Sequence, residues 1–413
     1  MSQSPSAHDT NELSGAPTMV APSHLAAPPP PSPSLNPSAR TTVLPRLEVT
    51  EGEARLVVQA RERFEHLDSL GQGGVGEVIL AQDHDIERRV ALKRLLPELQ
   101  DPGYVIRFAE EIRTLGGLDH PNIAPLHDVG IDAQGRYYCV MKYIEGDTLE
   151  AIIEKLAAGD PEYHQRYTFE ARVEVFTGVL RALQYAHSRG FIHRDIKPAN
   201  VMVGRFGEVF LMDWGLARRV HDDAEDVAAA RVNAPASDPK HRTMQGQLLG
   251  TPFYMSPEQA RGDVRALDER SDIYSLGVTL HELLTLEHYL ADRRSVEHTL
   301  LGVQTSPLPF AAHMQSPRQP PVPAEYAHFI EHCVAKNPAE RFRSVTAMLR
   351  RLQDIRDGDI PVECSITQMK HTGHGFMRLI DRRPRVAAMA VMAVAMLAAA
   401  GLVALAWLVW RLV

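Results

Sequence analysis

The sequence predicts an α+β fold with two lobes, a small sheet-rich one followed by a larger helical one. Short β-type runs come early: Val78-Ile79-Leu80, Val90-Ala91-Leu92 and Tyr137-Tyr138-Cys139-Val140-Met141. Longer stretches of helical periodicity come later, from Val173 to His187 and from Ile273 to Leu286. Strands and helices that segregate along a chain, with no alternation, give an α+β arrangement. The two ends differ from this middle, so the folded domain is expected to run from 64 to 353.

Residues 1–63 contain no Phe, Tyr or Trp and hold ten of the 29 prolines. A segment this poor in large apolar groups does not offset its ordering entropy, and a disordered tail is expected. The run Pro28-Pro29-Pro30-Pro31 could enter an SH3-like groove, although a solvated tail is the plainer reading. The start lacks the basic and apolar regions of a signal peptide. Across 413 residues the net charge is -8, which gives no basic face for nucleic acid. The cysteines Cys139, Cys333 and Cys364 are widely spaced, so neither a disulfide framework nor a zinc site is indicated.

At the other end, Val386 to Trp410 is a stretch of 25 residues without a charge. As a helix it would reach about 37 Å, enough for a hydrocarbon core of roughly 30 Å. Arg378, Arg382, Arg383 and Arg385 precede it, and Trp407 and Trp410 stand near its far end. A single-pass transmembrane helix over 386–410 is therefore expected, with 354–385 as a juxtamembrane segment and the folded domain on the cytoplasmic side of the cell membrane. Only Arg411-Leu412-Val413 would follow, so no sensor domain is expected beyond the span. Whether the span pairs two copies into a homodimer is left open.

The chemistry is concentrated in His193-Arg194-Asp195-Ile196-Lys197-Pro198-Ala199-Asn200 and Asp213-Trp214-Gly215. The first segment places a carboxylate, an ammonium and an amide on one loop. Such a set can take a proton from a hydroxyl, steady a phosphoryl group and ligate magnesium; the second segment adds a carboxylate for the metal. Upstream stand Gly71-Gln72-Gly73-Gly74-Val75-Gly76 and Val90-Ala91-Leu92-Lys93. The glycine loop alone is ambiguous, because dinucleotide folds also use one. There it would open a helix, whereas Val78-Ile79-Leu80-Ala81 continues as a strand.

Together and in this order, these segments resemble the eukaryotic-type protein kinases, most closely the bacterial serine/threonine members. The resemblance implies the bilobal protein kinase fold, ATP as cofactor, and Mg2+ as the metal with Mn2+ also admissible. It implies that Leu70, Gly71, Gly73, Gly76, Val78 and Ala91 enclose the nucleotide and that Lys93 meets its α- and β-phosphates. Within Phe108-Ala109-Glu110-Glu111 it favours Glu111 as the partner of Lys93; Glu110 would face about 100° away. Met141 would back the adenine pocket, and the backbones of Lys142 and Ile144 would bond the adenine edge. Asp195 would orient the substrate hydroxyl, Lys197 would neutralise the moving phosphoryl group, and Asn200 and Asp213 would hold the metal. Trp214 stands where relatives usually carry Phe. Glu258 would pair with Arg341, and Asp272 would anchor the catalytic loop.

The segment from Asp213 to Glu258 is long, and 219–242 shows no apolar periodicity, which suggests a surface loop. Resemblance places Thr243 at the usual phosphorylation position, with Arg194 as the cation that receives the phosphate. Ser237 is a weaker candidate. Thr251 would contact Asp195 and Lys197 through its hydroxyl. The implied activity is transfer of the ATP γ-phosphate to Ser or Thr hydroxyls of protein substrates, activated by autophosphorylation. The rival readings are a pseudokinase scaffold and a nucleotide-binding membrane sensor; the presence of Lys93, Asp195, Asn200 and Asp213 weighs against both.

Overall fold

The computed structural model describes residues 41–50, 53–57, 61–73, 76–99, 101–219, 252–293 and 295–372, with scattered positions between 389 and 411. The chain enters through an antiparallel hairpin, β1 (Arg46–Thr50) and β2 (Glu53–Val57), with Leu47 opposite Leu56 and Val49 opposite Ala54. The expected structureless tail therefore does not extend to 63. A hairpin needs alternation and a turn more than a core, and absence of aromatic residues is no guide to it. The segment is also tied down, since the amides of Val43 and Leu44 donate to Asp85 Oδ1 at 2.8 and 3.1 Å.

The first lobe is a five-stranded antiparallel sheet of β3 (Phe64–Gln72), β4 (Gly76–Asp83), β5 (Arg88–Leu95), β6 (Leu126–Ile131) and β7 (Tyr137–Lys142). Its strand order is β3-β4-β5-β7-β6. The period-2 pattern of β7 separates two small cores: Tyr138 and Val140 join Phe64, Ile79, Val90 and Leu92, while Cys139 joins Leu95 on the other face. Helix α1 (Pro102–Gly116) follows β5 and covers that second face with Phe108, Val105 and Ile112. This packing carries Glu111 beneath the sheet.

The second lobe begins with β8 (Gly146–Thr148) and α2 (Leu149–Ala158), capped by the Thr148 hydroxyl accepting from the Ala151 amide. Helices α3 (Pro161–Arg166) and α4 (Phe169–Ser188) lead to β9 (Phe191–Ile192). A 3-10 turn at Pro198–Asn200, β10 (Val201–Gly204), β11 (Val209–Leu211) and β12 (Arg218–Arg219) come next. Strands β11, β10 and β8 form one sheet, and β12 pairs with β9. After the interruption stand α5 (Pro257–Ala260), α6 (Glu269–Thr285), α7 (Val296–Thr305), α8 (Ala324–Cys333) and α9 (Val345–Arg356). Helix α6 is buried on nearly every side, which explains why its apolar residues do not keep to one stripe. Val173, Phe176 and Leu180 of α4, Ile273, Leu276 and Leu280 of α6, and Phe329 of α8 share one core.

Among the described residues no helix is long and apolar enough to cross a membrane. The expected span 386–410 falls largely outside them. Those of its positions that are described, such as Met392, Leu397 and Trp407, are helical and exposed.

Candidate active site

The glycine-rich segment is the turn of a strand pair, as expected, and opens no helix. Gly71 lies opposite Val78 and Gln72 opposite Glu77, and the Gly73 amide donates to the Gly76 carbonyl at 2.8 Å. A Cβ at Gly76 would lie 2.6 Å from the Arg94 carbonyl oxygen, so the β4–β5 approach demands glycine there. Gly71 and Gly73 are different, because a Cβ at Gly71 would meet nothing within 4 Å and one at Gly73 only the Gly76 carbonyl oxygen, at 3.9 Å. Packing does not hold either position to glycine. The tip, residues 74 and 75, lies outside the described residues.

Lys93 on β5 projects beneath this roof. Its Nζ lies 2.5 Å from Glu111 Oε1 and 3.7 Å from Asp213 Oδ1. Glu111, and not Glu110, is the α1 carboxylate that reaches it. Burial works against the ammonium charge, but Glu111 and then Asp213 outweigh burial and hold its pKa above the ordinary lysine range. Ala91 lies opposite Met141 across β5 and β7, and the buried Ile144 clusters with Phe210, against which Met202 and Met212 pack. The Lys142 amide already donates to the Pro125 carbonyl at 3.1 Å, and its ammonium sits 4.6 Å over the Phe210 ring. Only its carbonyl remains for an adenine edge. Sequence reading missed Met202 and Met212. The available signal was the alternation in β10, where Val201 and Val203 point into the core and Met202 faces the other way.

The loop after β9 gathers the remaining groups. Lys197 Nζ donates to Asp195 Oδ2 at 2.8 Å, and Asn200 Nδ2 donates to that oxygen at 3.0 Å and to the Asp195 carbonyl at 2.8 Å. Both side-chain bonds fall on Oδ2; among the described residues Oδ1 carries none. The loop is held from below by Asp272 of α6, which accepts from the His193 amide at 2.9 Å and the Arg194 amide at 2.8 Å. A buried histidine that sequence reading passed over, His187, donates to the same carboxylate at 2.8 Å. Burial opposes the His187 charge, yet Asp272 and Glu269 raise its pKa to about 9. Gln259 Nε2 adds a bond to the Arg194 carbonyl at 2.9 Å. With these constraints Arg194 keeps a φ of 70° and Asp213 a φ of 58°, a region that residues other than glycine seldom occupy.

Asp213 lies on the cleft wall with about half its side chain exposed, at 49%. Burial alone would raise its pKa, but Lys93, His193 and Lys197 together lower it. Trp214 points the other way into the core, its ring edge-on to His193 at 4.6 Å, and its indole N–H finds no partner among the described residues. The donor set suits a small hard cation. Asn200 spends its amide nitrogen on Asp195 and keeps an oxygen, and Asp213 adds an exposed carboxylate. No cluster of three or more His, Cys, Asp or Glu that could hold a metal occurs among the described residues. Mg2+ fits that arrangement, since it takes one or two protein oxygens and fills its shell with water and phosphate oxygens.

Two supports complete the site. Glu258 and Arg341 form a buried bidentate pair at 2.8 and 2.9 Å, with Ser271 Oγ donating to Glu258 at 2.8 Å. Arg194 is partly buried with its Nε unpartnered among the described residues; burial and then the nearby Arg218 lower its pKa. Thr243 and Thr251 lie outside the described residues.

A family model described as the protein kinase domain matches residues 64–351. The chain is 33% identical over 304 residues to the serine/threonine-protein kinase PknD of Protochlamydia amoebophila, covering 71% of this chain and 30% of that protein. It is 32% identical over 291 residues to PknD of Chlamydia caviae, covering 70% and 30%. With the serine/threonine-protein kinase PknB of Mycobacterium tuberculosis it shares 34% over 304 residues, covering 73% and 44%. The match thus spans less than half the length of each of these relatives.

Proposed function

The chain belongs to the protein kinase domain family, and from that premise we propose that it transfers the γ-phosphate of ATP to Ser or Thr hydroxyls of proteins. The observation that carries this reading is the grouping of Asp195, Lys197, Asn200 and Asp213 on one wall of a cleft, opposite Lys93 and Glu111. Bound ATP supplies the phosphoryl group, and its Mg2+ offsets the charge on the phosphate oxygens. Lys93, aligned by Glu111, presents its ammonium to the α- and β-phosphates. Asn200 Oδ1 and the Asp213 carboxylate would hold the cation. Asp195 Oδ1 takes the proton of the substrate hydroxyl as its oxygen bonds to the γ-phosphorus and the bond to the bridging oxygen of the β-phosphate breaks. Lys197 offsets charge on the group in transit. Leu70, Val78, Ala91, Met141 and Ile144 enclose the adenine, with the Lys142 carbonyl at its edge.

Two finer elements belong to the same proposal. Phosphorylation of Thr243 would bring about -1.5 to -2 charges to the under-paired Arg194 and order the substrate platform that includes Thr251; mass spectrometry of the fully active enzyme decides it. The uncharged stretch 386–410 would tether the kinase domain to the cell membrane. The central claim is tested by phosphorylation of a protein substrate by wild type and Asp195→Asn. The variant is expected to bind ATP normally and lose roughly three orders of magnitude in rate. Equal, low phosphorylation by both proteins would favour a scaffold or nucleotide sensor.

A further inference from the structure

The chain does not leave the second lobe freely after α9. Residues 365–372 form a two-turn helix, and one face of it is fixed to the domain. Thr367 is 1% exposed, and its hydroxyl oxygen accepts from the amides of Glu363 and Cys364, both at 2.9 Å. Lys370 Nζ reaches both oxygens of Glu325 on α8, at 2.9 and 2.8 Å. His371 Nδ1 lies 2.8 Å from the Ile360 carbonyl oxygen, and Arg351 of α9 pairs with Glu363. The docked face is thus the polar one.

The outward face is apolar. Ile366 is 51% exposed and Met369, one turn on, is 70% exposed; Val362, just before the helix, is 56% exposed. This inverts the usual pattern of a surface helix, whose apolar side is covered by its own domain. The sequence that follows indicates what covers it. Residues 373–385 interleave Phe376, Met377, Leu379 and Ile380 with Arg378, Arg382, Arg383 and Arg385, against the single carboxylate of Asp381. The uncharged stretch 386–410 begins at once. Apolar side chains among cations suit the interface of a bilayer that carries anionic headgroups. The acidic groups flanking the helix, Glu325 and Glu363, are each neutralised by a cation and do not oppose that approach.

We infer that the face formed by Val362, Ile366 and Met369 lies on an anionic phospholipid surface, so that the kinase domain rests on the membrane in a fixed attitude. The inference rests on the reading of 386–410 as a membrane span. Lys370 and His371 transmit the attitude, because they join the same helix to α8 and to Ile360 in the chain leaving α9. The second lobe is then the one nearer the bilayer.

The experiment uses the full chain in vesicles of phosphatidylcholine and phosphatidylglycerol that carry a quencher on the lipid. A fluorophore is placed by Met369→Cys in a Cys364→Ser background, and on the exposed Phe206 position of the β10–β11 turn by Phe206→Cys as the reference. Quenching at 369 is expected to exceed that at 206 roughly fivefold, and to weaken in pure phosphatidylcholine or at high salt. Ile366→Asp combined with a charged label at 369 should abolish it, while kinase activity in detergent is unchanged. A label at 369 that stays in water overturns the inference, whatever else the vesicles show. Change at 369 that depends on protein concentration in detergent also overturns it, since a second copy would then be the occupant. A carbonate wash reads the span separately. If it strips the protein although 369 had been quenched, the span reading falls and the surface contact stands.

Discussion

Two ion pairs of the same chemistry do opposite work in the two lobes. Arg341 and Glu258 in the helical lobe are 0% and 2% exposed, bidentate, and surrounded by further bonds from Ser271 and to the Arg270 carbonyl. Lys93 and Glu111 in the sheet lobe are 18% and 14% exposed, joined by a single contact, and share the ammonium with Asp213. The first pair has no capacity left for a ligand. The second lines the open cleft, where a substrate's phosphates can reach the lysine's remaining donors. Residue type is alike in both cases; what separates structure from chemistry is whether the polar atoms are already satisfied.

The comparison breaks first at the buried pair. Arg341→Leu and Glu258→Leu each leave one buried charge without a partner, and each should cost about 3–5 kcal/mol of stability. The double variant should cost clearly less than the sum of the two. Urea denaturation of the four proteins measures this coupling, and simple additivity would show that the pair is not the unit it looks to be.

The open pair should give the reverse outcome. Lys93→Met is expected to reduce phosphoryl transfer by roughly two to three orders of magnitude, as for loss of one preorganised charge, with the unfolding midpoint nearly unchanged. Near-wild-type turnover at saturating ATP would remove Lys93 from the site. A variant that simply unfolds would instead erase the contrast with Arg341.

These pairs also mark what could be read from the sequence. Lys93, Glu111, Asp195, Asn200, Asp213, Glu258 and Arg341 are legible because each needs one side-chain type at one place in a short segment. The strands β4, β5 and β7 are legible for a related reason, since their apolar runs are dense. Strand β3, exposed along nearly its whole length, gives little such signal. The hairpin at 46–57 was hidden by its composition, and Met202 and Met212 by the interchangeability of apolar residues. His187 and Gln259 were missed because their partners, Asp272 and the Arg194 carbonyl, are remote in sequence. The same holds for residues 365–372, whose docking depends on Glu325.

The contact of His187 with Asp272 lies between the two extremes, being buried yet attached to the catalytic loop. The folded pKa of about 9 exceeds the ordinary value of 6.5, so the contribution is complete below about pH 6.5 and is lost as pH rises through 9. His187→Gln should therefore cost on the order of 3 kcal/mol at pH 6 and progressively less toward pH 10. Denaturant midpoints of both proteins across that range check it. A stability difference that does not change with pH would mean that His187 is neutral in the fold.

The smallest effect is expected at Trp214, the buried ring that follows Asp213, the proposed metal ligand. Its side chain is 1% exposed and the indole N–H is without a partner among the described residues. Trp214→Phe removes apolar contacts and leaves a small void, which costs about 1–3 kcal/mol. It also removes a buried donor whose unsatisfied state costs a similar 1–3 kcal/mol. The two terms oppose each other, so the net change should stay within about 1 kcal/mol, and turnover should stay within about threefold because Asp213 keeps its place. A loss above about 3 kcal/mol would show that the N–H is satisfied in the folded protein, and that Trp214 is bonded to something that Phe cannot replace.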